Sequence, residues 1–309
     1  MGGKGCSVLA TYSHLMYPET MFTGRHFAML VLLSLLSREV HAETSTNEAM
    51  TASQMQGAVF LDSLSMPSPG EVFSALNKNC HPSWASLVTP SAAPVSTDRS
   101  QLALGVGVLA ADGYIAVQAQ DGQQVKNIGM EIMAVAKSLG IGKNLMSRGN
   151  SLIEFAKNSA WDSLADELEV TESEVKRTMV EQKDHALVTL TSAAAWLRGI
   201  DVATKIILAD DSLRGISVIR QPQMARQLSS QIEELPERIK RDGLDSKLIK
   251  CLDSVAVNLE TMGNLPEEER LSLQKIHRES ALMVGEIMAS PALPLRKMET
   301  GIPTASSKP

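Results

Sequence analysis

Four charged residues stand inside stretches that are otherwise apolar. Asp112 interrupts Leu102 to Val117, and Arg198, Asp201 and Lys205 interrupt Ala186 to Leu208. On a helix, Arg198–Asp201 and Asp201–Lys205 are neighbours at spacings of three and four. A carboxylate taken out of water is costly unless it is paired. These residues are therefore expected to form a buried polar network or a polar edge, with a functional cleft as the further option. Arg198 is the expected partner of Asp112, because a guanidinium fork satisfies both carboxylate oxygens.

Other residue groupings carry less chemistry. Gly105-Val106-Gly107-Val108-Leu109-Ala110 fits the loosest dinucleotide glycine pattern, but no strand precedes it, so a small-residue packing face is expected instead. Gly140-Ile141-Gly142-Lys143-Asn144 lacks the first glycine and the hydroxyl of a phosphate loop. Asp162, Asp166 and Glu169 share a helical stripe that a divalent cation could bridge, yet calcium prefers a turning loop with more oxygens. Beyond residue 42 the histidines are His81, His185 and His277, and none sits at metal-ligand spacing from another. Cys80-His81 lies in a proline-flanked loop. Ser173-Glu174-Val175-Lys176 has none of the companion motifs of a Ser-x-x-Lys enzyme. No catalytic residue, metal or cofactor is expected. Met130, Met133, Met283 and Met288 could line an adaptable apolar pocket, or simply fill a core.

The elements that position these residues read as helices. Aromatics make up 4% of the 309 residues, whereas β-sandwiches and barrels lean on aromatic and β-branched side chains. A net charge of −6 argues against a nucleic-acid binder, which needs a basic face. Asp121 with Gln124 marks a helix start, and Val125, Ile128, Ile132, Val135 and Leu139 continue at helical spacing until Gly140 stops them. Further helices are expected over 100–118, 143–158, from Ser159 through Val175, 186–208, from Pro222, from Pro236, 246–262 and 266–288. Ala195, Gly199 and Ala203 form a bare stripe that should pack closely on Gly105, Val106 and Ala110. The expected fold is all-α, a single irregular bundle or stack of helical hairpins with roughly seven to nine helices.

Residues 22–42 resemble an export signal. Arg25 and His26 precede the apolar run Phe27–Leu36, and Val40 and Ala42 suit signal peptidase at −3 and −1. Cleavage is expected between Ala42 and Glu43, with Met21 a plausible start, and with no stable transmembrane segment left afterwards. Residues 43–97 read as a flexible arm and a proline-rich linker containing one short helix from Pro69. The helical body is expected over 98–289, and a disordered tail over 290–309. Cys80 and Cys251 could bridge, but sequence alone does not bring their Cα atoms within reach. Three functions follow in order. The first is a binding or scaffold protein with a protein partner in the periplasm or cell envelope. The second is a carrier of an apolar small molecule held between helices. The third is an enzyme without a recognisable motif.

Overall fold

Short polar punctuation divides this chain into helices. The computed structural model describes residues 66–90, 92–240, 243–263 and 265–289, without the side chains of 143–147. The expected signal, most of the arm and the tail lie outside them. The described residues contain nine helices and no strand, together with one 3-10 turn at Trp84–Ser86 and one α-turn at Ile216–Ile219. The helices are α1 (Pro69–Cys80), α2 (Arg99–Gln118), α3 (Gly122–Leu139), α4 (Gly142–Lys157), α5 (Trp161–Glu181), α6 (His185–Ala209), α7 (Pro222–Glu233), α8 (Leu244–Glu260) and α9 (Pro266–Met288).

Local chemistry explains most of the ends. Pro69, Pro222 and Pro266 each open a helix at its first turn, where a missing N–H costs nothing. Ser68 and Glu71 form a reciprocal capping box at α1. Asp98 and Asp121 accept the backbone N–H of Gln101 and Gln124 at 2.9 Å. The Gln124 side chain does not complete a box; it donates to the Thr89 carbonyl at 2.9 Å. From α2 to α6 every connection is two or three residues long and contains one left-handed residue: Gln120, Gly140, Ser159 or Lys183. Each also carries the paired backbone bonds of a Schellman stop, as in Ile141 N–H to Ala136 and Gly140 N–H to Lys137. Four similar reversals in succession turn the chain back on itself each time.

After four reversals α6 should run the same way as α2, and it does. Thr191 donates to the Ala103 carbonyl, Gly107 lies against Thr191–Ala195, and Asp112 meets Arg198. The contact register rises together on both helices, so they are parallel. They form the centre of the body and are buried almost all round. By length and composition either could cross a bilayer, but 94% and 89% of their apolar stretches are buried in the protein. Helix α9 packs on α6, α7 pairs with α8, α3 and α5 pack on α2, and α4 packs on α3 and α5. A main core fills the body, and a smaller cluster around Leu109, Val125, Leu152 and Leu164 draws on each of α2, α3, α4 and α5.

Several expectations need correction. The body reaches back to Met66 instead of starting at Asp98. Phe73, Leu76, Trp84 and Leu87 are core residues, and the Trp84 indole donates to Asn77 at 3.0 Å. Pro94 of the expected linker is buried against Gly105. Prolines there shape a docked segment. Pro236 opens a single turn, closed by Ile239 N–H to the Pro236 carbonyl, and no helix. Ile239 packs on the core, and the chain restarts at the left-handed Gly243 only four residues later, leaving no room for one. Asp245 is in the first turn of α8, whose cap is Gly243. The small-residue seam exists, but its closest approach is at Gly107, while Gly199 has open space beside it.

Candidate functional site

The charges inside the greasy helices converge where α2, α6 and α9 meet. Arg198 Nε donates to Asp112 Oδ1 at 2.8 Å, and Arg198 also donates to Asp201 Oδ2 at 2.5 Å. The arginine side chain is only 13% exposed, and both carboxylates are less exposed still. Burial by itself lowers the Arg198 pKa, but the two carboxylates outweigh it and raise it above the ordinary value. One guanidinium thus bridges two helices and satisfies one oxygen of each aspartate.

Asp201 Oδ1 faces His277 Nδ1 of α9 at 2.9 Å. The two atoms lie off the line of a hydrogen bond, so the contact is an electrostatic approach. His277 was not among the residues expected here. It stands one position beyond the buried stripe Leu273–Ile276–Ser280, so its place at an edge was legible. Its partner depended on α9 crossing α6 at Asp201, which no spacing reveals. Lys205 does not join the network. It is exposed, one turn beyond Asp201, and acts on His277 only at a distance.

The Asp201 contact raises the His277 pKa, while burial and Lys205 pull it down, and the net shift is upward. The folded protein therefore holds this proton more tightly than the unfolded chain does. That contribution is complete below the ordinary value of 6.5 and disappears as pH rises through the folded value. Denaturant unfolding across this range should show stability falling as pH increases, and His277→Gln should flatten that slope. An unchanged slope in the variant would assign the effect to another group.

A second feature lies on the other side of α2. Helices α2 to α5 line a partly open apolar cavity of about 230 Å³. Ile128, Ile132, Leu152, Ile153 and Leu168 form its walls, with Met130 and Met133 beside them. Met283 and Met288 are elsewhere in the core. Gly113, Gly129 and Gly149, one from each of three helices, also line it. A methyl group added to Gly129 would meet nothing within 4 Å, and those on Gly113 and Gly149 would find only ordinary contacts near 3.8 Å. A glycine in a helix interior costs about 1 kcal/mol relative to alanine. Three of them facing one space keep open a volume that larger side chains would fill. The only hydroxyl among the described lining residues, Thr171 Oγ1, donates to the Glu167 carbonyl at 2.7 Å.

The remaining candidates resolve simply. Asp162, Asp166 and Glu169 line a polar cleft between α1, α2 and α5, with Glu71 and Tyr114. Tyr114 donates to Glu172 at 3.2 Å, and burial followed by the Glu172 charge pushes its pKa well above the usual phenol range. Among the described residues no group of three or more acidic, histidine or cysteine side chains is placed to hold a metal ion. Cys80 and Cys251 are free thiols, and burial pushes Cys251 up to about 12. Gly140–Asn144 is a helix stop and start, as its left-handed glycine implies. No protein-family model, curated protein or solved structure matches this chain.

Proposed function

We propose that this chain is a non-enzymatic helical protein of the periplasm or cell envelope that carries a small apolar molecule between α2, α3, α4 and α5. The observation that carries this reading is the cavity itself, with its aliphatic and thioether walls and three converging helix glycines. Ligand sites of this kind are concave, largely apolar and formed in advance. The site offers shape and hydrophobic burial, with the one hydroxyl among its described lining residues already donating to the backbone. That chemistry suits binding and release. The leader-like residues 22–42 support export, so the ligand would be met outside the cytoplasm. An accessible apolar cavity favours the carrier over a scaffold bound to a protein partner.

Fluorescence titration with an uncharged apolar probe, N-phenyl-1-naphthylamine, tests the reading. Wild type should bind it saturably. Gly129→Ala should raise stability by about 1 kcal/mol, because alanine is the better helix former and its methyl group has room. Gly129→Leu should keep the fold and abolish probe binding by filling the space. Undiminished binding in that variant would place the probe elsewhere and sink the proposal.

A further inference from the structure

We infer that the cavity takes an amphiphile with one anionic end, of the alkyl carboxylate or alkyl sulfate class, and that Lys126 anchors the head. The inference rests on the carrier reading above and specifies its ligand. Among the described residues lining the cavity, Lys126 is the only charged one. It is half-buried, and it shares the α3 stripe of Gly129, Met130 and Met133, at spacings of three, four and seven. Its four-carbon stem therefore lies along the apolar wall while the ammonium reaches for water.

What distinguishes Lys126 from the other described lysines without an ion pair, such as Lys78 and Lys205, is that it lines the cavity. Lys176, Lys240 and Lys247 each meet a carboxylate at 2.7–2.8 Å. Lys126 forms no ion pair or side-chain hydrogen bond with any described residue. Arg148, next in sequence to the lining Gly149, is held by Glu167 at 3.2 Å. The amides next to Lys126 are also engaged, Gln123 with Asn127 and Gln124 with the Thr89 carbonyl. Lys126, with no ion pair to a described residue, thus stands at the edge of an apolar space where the described lining hydroxyl has spent its proton. A ligand that matches both features has a hydrocarbon body and a single negative head. Size follows from volume. An apolar cavity of about 150 Å³ holds a benzene-sized molecule. By that scale 230 Å³ admits a chain of about nine carbon atoms.

Calorimetric titration of the full chain with octanoate, octyl sulfate, 1-octanol and octyltrimethylammonium tests this. One or both anions should bind about tenfold tighter than octanol, the gain expected of a hydrogen bond to a charged group. The cation should bind weakest. Lys126→Met keeps the apolar stem, so it should retain octanol affinity and lose the preference for anions. Lys126→Glu should turn the preference toward octyltrimethylammonium. Circular dichroism confirms that both variants remain helical. Equal binding of octanoate, octyl sulfate and octanol by wild type would overturn the head-group assignment and leave the apolar carrier standing. So would an anion preference that survives Lys126→Met. Failure of all four ligands, octanol included, would remove the carrier reading and this inference with it.

Discussion

Arg198→Met is expected to cost about 3–5 kcal/mol of folding stability, measured by denaturant unfolding. The loss comes from what the arginine leaves behind. Asp112 and Asp201 are both nearly fully buried, and each has one oxygen within 2.8 Å of the guanidinium. Without it, two carboxylates share one dry junction. Protonated His277 offsets Asp201 alone, so the loss should be larger at pH 8 than at pH 6. Restoring neutrality is the complementary test. Combining Arg198→Met with Asp112→Leu and Asp201→Leu should recover most of the stability, because an apolar replacement of a buried ion cluster is often nearly neutral. A loss below about 1 kcal/mol in the single variant would mean that water reaches the carboxylates.

Gly107→Ala is expected to cost about 2–3 kcal/mol although alanine is the better helix former. The new methyl group would run into the Thr191 carbonyl oxygen, 2.8 Å from Ala195 N and 2.9 Å from Ala194 Cβ. Two of those neighbours are backbone and cannot turn aside, so α2 and α6 must separate. The Thr191 hydroxyl bond to the Ala103 carbonyl, 3.1 Å long on the same seam, would be strained with them. Gly199→Ala is the control. It makes the same chemical change one turn beyond the contact, meets nothing within 4 Å, and should be neutral or slightly stabilising. Equal melting temperatures for the two variants would refute the close approach at Gly107.

The contrast between these glycines shows how far the sequence could be read. A bare stripe at Ala195, Gly199 and Ala203 identified α6 as a packing helix and α2 as its partner. It did not reveal the crossing point, because that depends on the rotation of both helices. The helix boundaries were legible wherever one residue type has one local use. Proline opens α1, α7 and α9, aspartate caps α2 and α3, and Gly140 ends α3. Gln120, Ser159 and Lys183 perform the same left-handed turn as Gly140, and nothing in their chemistry announces it. Asp112 and Arg198 could be paired because each is a charge within an apolar helix. Lys205 was grouped with Asp201 by spacing alone, but Asp201 turns toward Arg198 and His277, and the lysine faces solvent. The cavity left the faintest trace. Gly113, Gly129 and Gly149 are visible as letters, but their convergence needs α2, α3 and α4 brought side by side.

The parallel pairing of α2 and α6 has a consequence for how the chain reaches this structure. The two central helices are separated in sequence by the whole of α3, α4 and α5. Each neighbouring pair from α2 to α6 can close through a loop of two or three residues, at little entropic expense. The central seam can close only after the intervening chain has been ordered or spanned, and such non-local contacts slow folding. The successive hairpins of the flank therefore favour early formation, and the junction of Gly107 with Thr191 and of Asp112 with Arg198 belongs to the late steps. Until that junction closes, both of the longest apolar faces in the body are open to water. That interval is when association with another unfolded copy competes with folding.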